Sequence, residues 1–122
     1  SEDQEDFVAF RDTRLGICDT IGQCMGALAE KFFNILQMKF EQFERDSSRW
    51  MSLEVVLYLL HGCVDAIKDI VMKLTYQNKA YQQSILQFIY NVTYCVLSIP
   101  ADYYASNRAL PLYQAACRFL GS

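Results

Sequence analysis

The feature that most constrains the fold is an apolar pattern that recurs every three or four residues across the middle of the chain. Its members are Trp50, Leu53, Leu57, Leu60, Val64, Ile67, Val71 and Leu74. This spacing places every member on one face of an α-helix. The pattern therefore predicts one continuous amphipathic helix or two helices in near register. Ser47 or Ser48 is expected to cap the first turn.

Comparable patterns cover most of the remaining chain. They predict helices over residues 6–27, 29–45, 80–98 and 106–120. In the last three, the residues expected to face inward are Phe32, Phe33, Leu36, Phe40 and Phe43; Ile85, Phe88, Ile89, Val92, Cys95 and Val96; and Leu110, Leu112, Tyr113, Ala116, Phe119 and Leu120. Polar residues 75–79 are expected to form a loop, and Pro111 fits only the first turn of a helix. No alternating apolar pattern predicts a strand, so the expected fold class is all-α.

The predicted helices fall into three pairs within a single region that spans residues 1–122. The expected hairpins cover 6–46, 47–76 and 79–121. Helical hairpins repeated at this spacing are typical of HEAT and armadillo arrays. We therefore expect HEAT-like hairpins stacked as part of an α-solenoid. A compact helical bundle is the alternative, because it would show much of the same pattern.

Charge and cysteine usage restrict the partners and the compartment. The net charge is −3, but four acidic residues lie among the first six, and ten acidic residues elsewhere stand against eleven basic ones. The body of the chain thus lacks the basic surplus that binding to nucleic acid phosphates requires. Five cysteines without a C-x-x-C pair indicate free thiols in a reducing, intracellular compartment. The acidic start predicts no signal peptide, and polar residues in the uncharged stretch 80–101 argue against a membrane span.

No motif in the sequence indicates catalysis, a cofactor or a metal. His61 is the single histidine and is expected to be structural. The carboxylate pairs Asp65 with Asp69 and Glu41 with Glu44 are expected on solvated helix faces. Since none of the usual catalytic constellations occurs, we expect a protein that is not an enzyme and that binds no cofactor.

Aromatic residues concentrate in the last third of the chain. They are Tyr90, Tyr94, Tyr103, Tyr104 and Tyr113. Tyrosine is enriched at protein interfaces, so this cluster is one candidate binding surface. The favoured interpretation is that the rings fill gaps between helices and leave their hydroxyls at the rim.

Three segments resemble the importin-β superfamily of nuclear transport receptors, and its transportin-SR and exportin-like branch in particular. The run RWMSLEVVLYLL over 49–60 resembles the family's W-x-x-L-E-A-x-L-x-x-L helix. The run EDFVAFRD over 5–12 is similar to the D-F-x-x-F-R entry to the preceding repeat. The run ALPLY over 109–113, with Phe119 and Leu120, resembles the L-P-x-x second helix of a HEAT repeat.

The resemblance implies that the chain is a piece of a larger solenoid that works in nucleocytoplasmic transport. Its partners would be cargo proteins, the GTPase Ran in its GTP form, and nucleoporins, in the cytoplasm and the nucleus. The matched positions Trp50, Leu53, Glu54, Leu57 and Leu60 look like scaffold positions, so the protein-binding residues are unknown. The alternative function is a small stand-alone helical bundle adaptor that binds a partner helix in an apolar groove.

Overall fold

The computed structural model describes residue 17 and residues 28–121, with the backbone alone at 74–77. Within these residues the chain forms helices and no strand, which confirms the all-α class. The helices are α1 (28–45), α2 (Trp50–Gly62), α3 (Val64–Gln77), α4 (Lys79–Ser98), α5 (Ala101–Ser106) and α6 (Leu110–Leu120). The helix predicted over 6–27 lies outside the described residues, except that residue 17 is helical.

The central helices are joined by single residues. Cys63 alone separates α2 from α3, and its N–H donates to the Leu59 carbonyl at 3.0 Å. Asn78 alone separates α3 from α4, and its side-chain oxygen accepts a hydrogen bond of 3.0 Å from the Tyr81 N–H. That bond satisfies one of the unpaired donors that begin every helix. The apolar pattern from Trp50 onward is therefore carried by two helices.

Helix α1 and helix α4 run in the same direction along one side of the core. Phe33 and Tyr81 line one small cavity near the beginnings of the two helices. Phe40 and Phe88 meet edge to face further along, with ring centroids 5.8 Å apart. The inward face predicted for α1 is confirmed, because Phe33, Leu36, Phe40 and Phe43 are all buried.

Two further helix contacts complete the core. Helix α2 packs chiefly against α6, and α3 packs against α4. The hairpin expected over 47–76 would instead pair α2 with α3, which touch less extensively. The buried residues form one connected cluster that draws on every helix except α5, and Tyr103 and Tyr104 of α5 pack against it. Leu53, Val56, Leu57 and Leu112 are wholly buried.

The turn between α1 and α2 differs from the expected cap. Arg49 occupies the N-cap position of α2 and makes no side-chain capping bond. Ser48 instead donates through its N–H and its hydroxyl to the Asp46 carboxylate, at 3.0 and 2.7 Å. These bonds hold the pKa of Asp46 below its usual value. The prediction that Ser47 or Ser48 caps the helix is wrong, because α2 begins at Trp50 and its N-cap position falls on Arg49, one residue beyond Ser48.

Three further boundaries differ from the sequence predictions. Residues 75–77 continue α3, so the loop expected over 75–79 reduces to Asn78. The helix expected over 106–120 begins at Leu110, with Pro111 in its first turn as predicted. A short helix, α5, was not predicted and follows Pro100 directly. Leu110, Tyr113 and Leu120 are exposed rather than inward, whereas Leu112, Ala115 and Ala116 are buried and Phe119 packs half-buried against the core.

Candidate partner-binding groove

An apolar groove of about 520 Å³ lies between α3, α4 and the end of α6. We call it the partner groove. It is lined by Leu60, Val64, Ile67, Lys68, Val71, Met72, Leu86, Ile89, Thr93, Phe119 and Leu120. Its floor belongs to the core, since Leu60 and Ile67 are buried. Its rim is open to solvent, because Met72 is 70% exposed and Leu120 is 45% exposed.

Two hydrogen bonds shape the wall between α3 and α4. The Gln82 side-chain amide donates to the Val71 carbonyl at 2.9 Å, which ties the start of α4 to α3. The Thr93 hydroxyl donates to the Ile89 carbonyl at 2.8 Å within α4. Because this hydroxyl is satisfied by the backbone of its own helix, Thr93 presents no unpaired donor to the groove. The wall consequently remains apolar.

Among the described residues that line the groove, one is charged. Lys68 is the one charged residue among those that line it, and its side chain is exposed. Apolar surface with one cation at its edge is suited to a ligand that is apolar along one side and acidic at one point. Lysine buries its hydrocarbon stem easily while the ammonium stays in water. Lys68 can therefore contact the apolar side of a ligand with its stem and attract an acidic group with its ammonium.

The sequence did not single out the rim of this groove. Lys68 and Met72 each follow a member of the central apolar pattern, Ile67 and Val71, by one residue. Leu86 stands in the same relation to Ile85, which is buried. At Met72 and Leu86 the sequence therefore shows an apolar residue directly after a member of the inward face, which makes the apolar face of the helix one residue wider. That widening is what a helix needs if it contacts a second surface beside the core.

The candidate polar residues from the sequence are not gathered into a site. Asp65, Asp69, Glu41 and Glu44 are all exposed, as expected for solvated helix faces. His61 is half-buried, and its Nδ1 is buried without a hydrogen-bond partner among the described residues. Across the described part of the chain, no group of three or more His, Cys, Asp or Glu side chains is arranged to hold a metal ion.

The tyrosines divide into two groups. Tyr90 and Tyr94 are 64% and 65% exposed, so the interpretation that they fill gaps between helices is wrong for them. Tyr103 and Tyr104 are half-buried and meet edge to face at 5.9 Å. The Tyr103 hydroxyl donates to the Ser47 carbonyl, which ties α5 to the turn before α2. Burial foremost, and then the nearby Asp46 carboxylate, raises the pKa of Tyr103.

The described cysteines are thiols in three different environments. Cys63 is buried, Cys95 is half-buried and Cys117 is exposed, and none is in a disulfide. Burial, with a smaller contribution from Glu44, raises the pKa of the Cys95 thiol. A raised pKa disfavours the reactive thiolate, so Cys95 has the character of a packing residue. Cys18 and Cys24 lie outside the described residues.

No known protein family, curated protein or solved structure matches this chain. Among the helices as described, none combines the length and the apolar composition that crossing a bilayer requires.

Proposed function

We propose that this chain is a protein-binding domain that takes an amphipathic helix of a partner protein into the partner groove. The observation that carries this proposal is an apolar cleft, lined by residues of four helices, whose rim residues are exposed to solvent. Met72 exposes most of its side chain at the rim, while Ile67 on the floor of the groove is buried. An unpartnered apolar surface of this kind is what helix-in-groove recognition uses.

The open rim favours a long ligand over a small molecule. Small-molecule sites enclose most of the ligand surface. The partner groove leaves Met72, Leu86 and Leu120 exposed along its edges. A helix with apolar residues at positions i, i+3, i+4 and i+7 would cover those edges along its length. An acidic residue beside its apolar face would meet Lys68.

A display library of helical peptides tests the proposal. Apolar residues are fixed at i, i+3, i+4 and i+7, the other positions are randomised, and enriched peptides are measured by fluorescence anisotropy. Met72→Lys should weaken their binding at least tenfold, or about 1.4 kcal/mol, because it places a charge on the apolar rim. Met51→Lys is the matched control, since Met51 is also exposed but lies on α2 outside the groove.

Reversing the charge of Lys68 at the rim gives a second test, again measured as peptide affinity. Lys68→Glu should weaken binding of the peptides with an acidic flank and strengthen binding of the same peptides with that residue changed to lysine. The proposal is wrong if no peptide with helical spacing is enriched. It is equally wrong if binding survives both Met72→Lys and Leu120→Lys.

The second candidate function is the nuclear transport receptor to which the sequence has resemblance. The observation that favours it is that α3 and α4, joined by Asn78, form two walls of an apolar groove that is open to solvent along its rim. In a stacked array of hairpins, such a surface is covered by the next repeat. The solenoid organisation and the binding of cargo, Ran and nucleoporins stay predictions. The test is a pull-down with immobilised Ran. If the chain belongs to a transport receptor, Ran loaded with GTP should retain the endogenous protein and Ran loaded with GDP should not.

A further inference from the structure

Helix α4 presents a further apolar surface, which adjoins the partner groove at Leu86 and continues along the side that faces away from the core. It consists of Leu86, Tyr90, Tyr94 and Leu97, and we call it the α4 face. These residues follow one another at spacings of four, four and three, so they lie in one row along the helix. Tyr90, Tyr94 and Leu97 are each about two-thirds exposed, at 64%, 65% and 67%.

The α4 face belongs to a helix whose single charged residue is its first, Lys79. After Lys79 no charged residue occurs before Asp102, so the whole outer side of α4 beyond its first residue is neutral. Gln87 and Asn91 beside the face are hydrogen-bonded to each other at 2.8 Å. Depletion of charge together with enrichment in tyrosine is the composition of an interface core. A neutral face also meets no like-charge repulsion when it meets a copy of itself.

The two flanks of the α4 face carry opposite charges on neighbouring helices. On the α1 side, Glu41 and Glu44 line a shallow cavity with Gln87 and Asn91. Glu41 is paired with Arg45 of the same helix at 3.7 Å, so the acidic charge of this flank rests on Glu44. On the opposite side, Lys68 lines the partner groove with Leu86 and Ile89. A two-fold axis parallel to α4 brings the α1 flank of one copy against the groove flank of the other. Acidic and basic flanks then face each other on both sides of the contact.

From these observations we infer that the α4 face is a homodimer interface, in which α4 packs on α4 of a second copy about a two-fold axis parallel to the helix. Leu86, Tyr90, Tyr94 and Leu97 then each meet their own counterpart. A tyrosine buries about 150–250 Å² when fully covered. The four residues of the α4 face would therefore bury on the order of 400 Å² of surface per copy, and the polar residues around them would add to this area. Such a contact lies at the low end for specific interfaces, so the dimer is expected to be weak.

Sedimentation equilibrium of the full chain tests the inference. Over about 1–300 µM, the range in which small interfaces associate, the wild-type chain should pass from monomer to dimer. The double variant Tyr90→Lys with Tyr94→Lys should remain monomeric or dissociate at least tenfold more readily. Met51→Lys with Leu110→Lys is the matched control, because both residues are exposed and apolar and lie on other helices. The control should dimerise like the wild type.

A mixing experiment separates loss of the interface from loss of the fold. The Tyr90→Lys, Tyr94→Lys chain mixed with a Tyr90→Glu, Tyr94→Glu chain should form a mixed dimer, since lysines then face glutamates across the axis. The inference is overturned if the wild-type chain stays monomeric throughout, if the lysine variant dimerises normally, or if mixing forms no dimer. These variants leave Met72 and Lys68 intact, so failure here is distinguishable from failure of the partner groove.

Discussion

At the scale of single residues, Tyr103 shows how one side chain can join three parts of the molecule. Its ring meets Phe43 of α1 at 6.3 Å and Tyr104 at 5.9 Å, both edge to face. Its hydroxyl donates to the Ser47 carbonyl. Edge-to-face pairs add modestly to the energy of burial, and a satisfied hydroxyl avoids the cost of burying an unpaired donor. Tyr103 therefore positions the short α5.

Removing the Tyr103 hydroxyl should lower stability in a pH-dependent way. Tyr103→Phe is expected to reduce the free energy of unfolding at neutral pH by about 0.5–1.5 kcal/mol, through loss of the bond to Ser47. Because the pKa of Tyr103 is raised above 10.0 in the folded chain, the folded state holds the phenolic proton more tightly than the unfolded state does. The contribution to stability is therefore complete below the unfolded pKa and is lost as pH rises through the folded pKa.

Urea denaturation at about pH 7 and about pH 10.5, on either side of the ordinary tyrosine pKa, measures this effect. The wild type should lose more stability between the two conditions than Tyr103→Phe. Tyr90→Phe is the control, because its hydroxyl is on an exposed side chain, and it should behave like the wild type. Equal pH sensitivity in Tyr103→Phe and the wild type would contradict the role assigned to this hydroxyl.

Residue burial was predictable where a single helical face decides it. Phe33, Leu36, Phe40 and Phe43 were expected inward and are buried, because one apolar face of α1 meets one core. Tyr90 was assigned to a gap between helices and is exposed. Periodicity places a tyrosine beside an apolar face but does not determine whether its other side meets a second helix or solvent. That depends on the arrangement of the helices, which the periodicity does not contain.

At the scale of the helices, the caps and joints carry information that the apolar pattern lacks. Gly62 ends α2 at the place where the pattern from Trp50 to Leu74 continues without interruption. Glycine near a helix end is a known stop signal, so the division into two helices could have been found there. Residues 75–77 show the opposite error, because a loop was expected there and the chain is helical. Polar residues continue a helix readily when no proline or glycine interrupts it.

Asn78 should contribute measurably to the stability of α4. Asn78→Ala removes the oxygen that accepts from the Tyr81 N–H, and loss of such a cap costs about 1 kcal/mol. Chemical denaturation followed by circular dichroism measures the change. Asn78→Asp keeps the acceptor and should stay close to the wild type. If the alanine and aspartate variants are equally stable, the side-chain cap contributes nothing.

At the scale of the whole molecule, the pairing of α2 with α6 joins residues that are far apart in the sequence. Leu57 on α2 and Leu112 on α6 are both fully buried in the one connected core. Short-range periodicity predicted both helices but not that they pack together, since the pattern says nothing about which faces meet. The hairpin expected over 47–76 rested on the spacing of the helices along the chain, and it stays a prediction.

A substitution in α6 should therefore destabilise α2. Leu112→Ala removes a fully buried side chain, and such changes cost about 2–5 kcal/mol. Trp50, the single tryptophan, lies at the start of α2 and reports on that helix by fluorescence. We expect the fluorescence and circular dichroism transitions in urea to shift together by the same amount. A fluorescence transition that stays in place while part of the helix signal is lost would show that α2 and α6 unfold independently.

The one-residue joints at Cys63 and Asn78 make the length of the chain as important as its composition. An α-helix turns by about 100° per residue, so a residue inserted beside Asn78 would rotate α4 by that angle relative to α3. Ile85 and Phe88 would turn away from α1, and neighbouring polar residues such as Ser84 and Gln87 would turn toward it. Across residues 50–98 the chain can therefore accept exchanges of one side chain for another far more readily than insertions or deletions. A change of length is better placed in the exposed turn at 46–49, which lies between helices and outside this stretch.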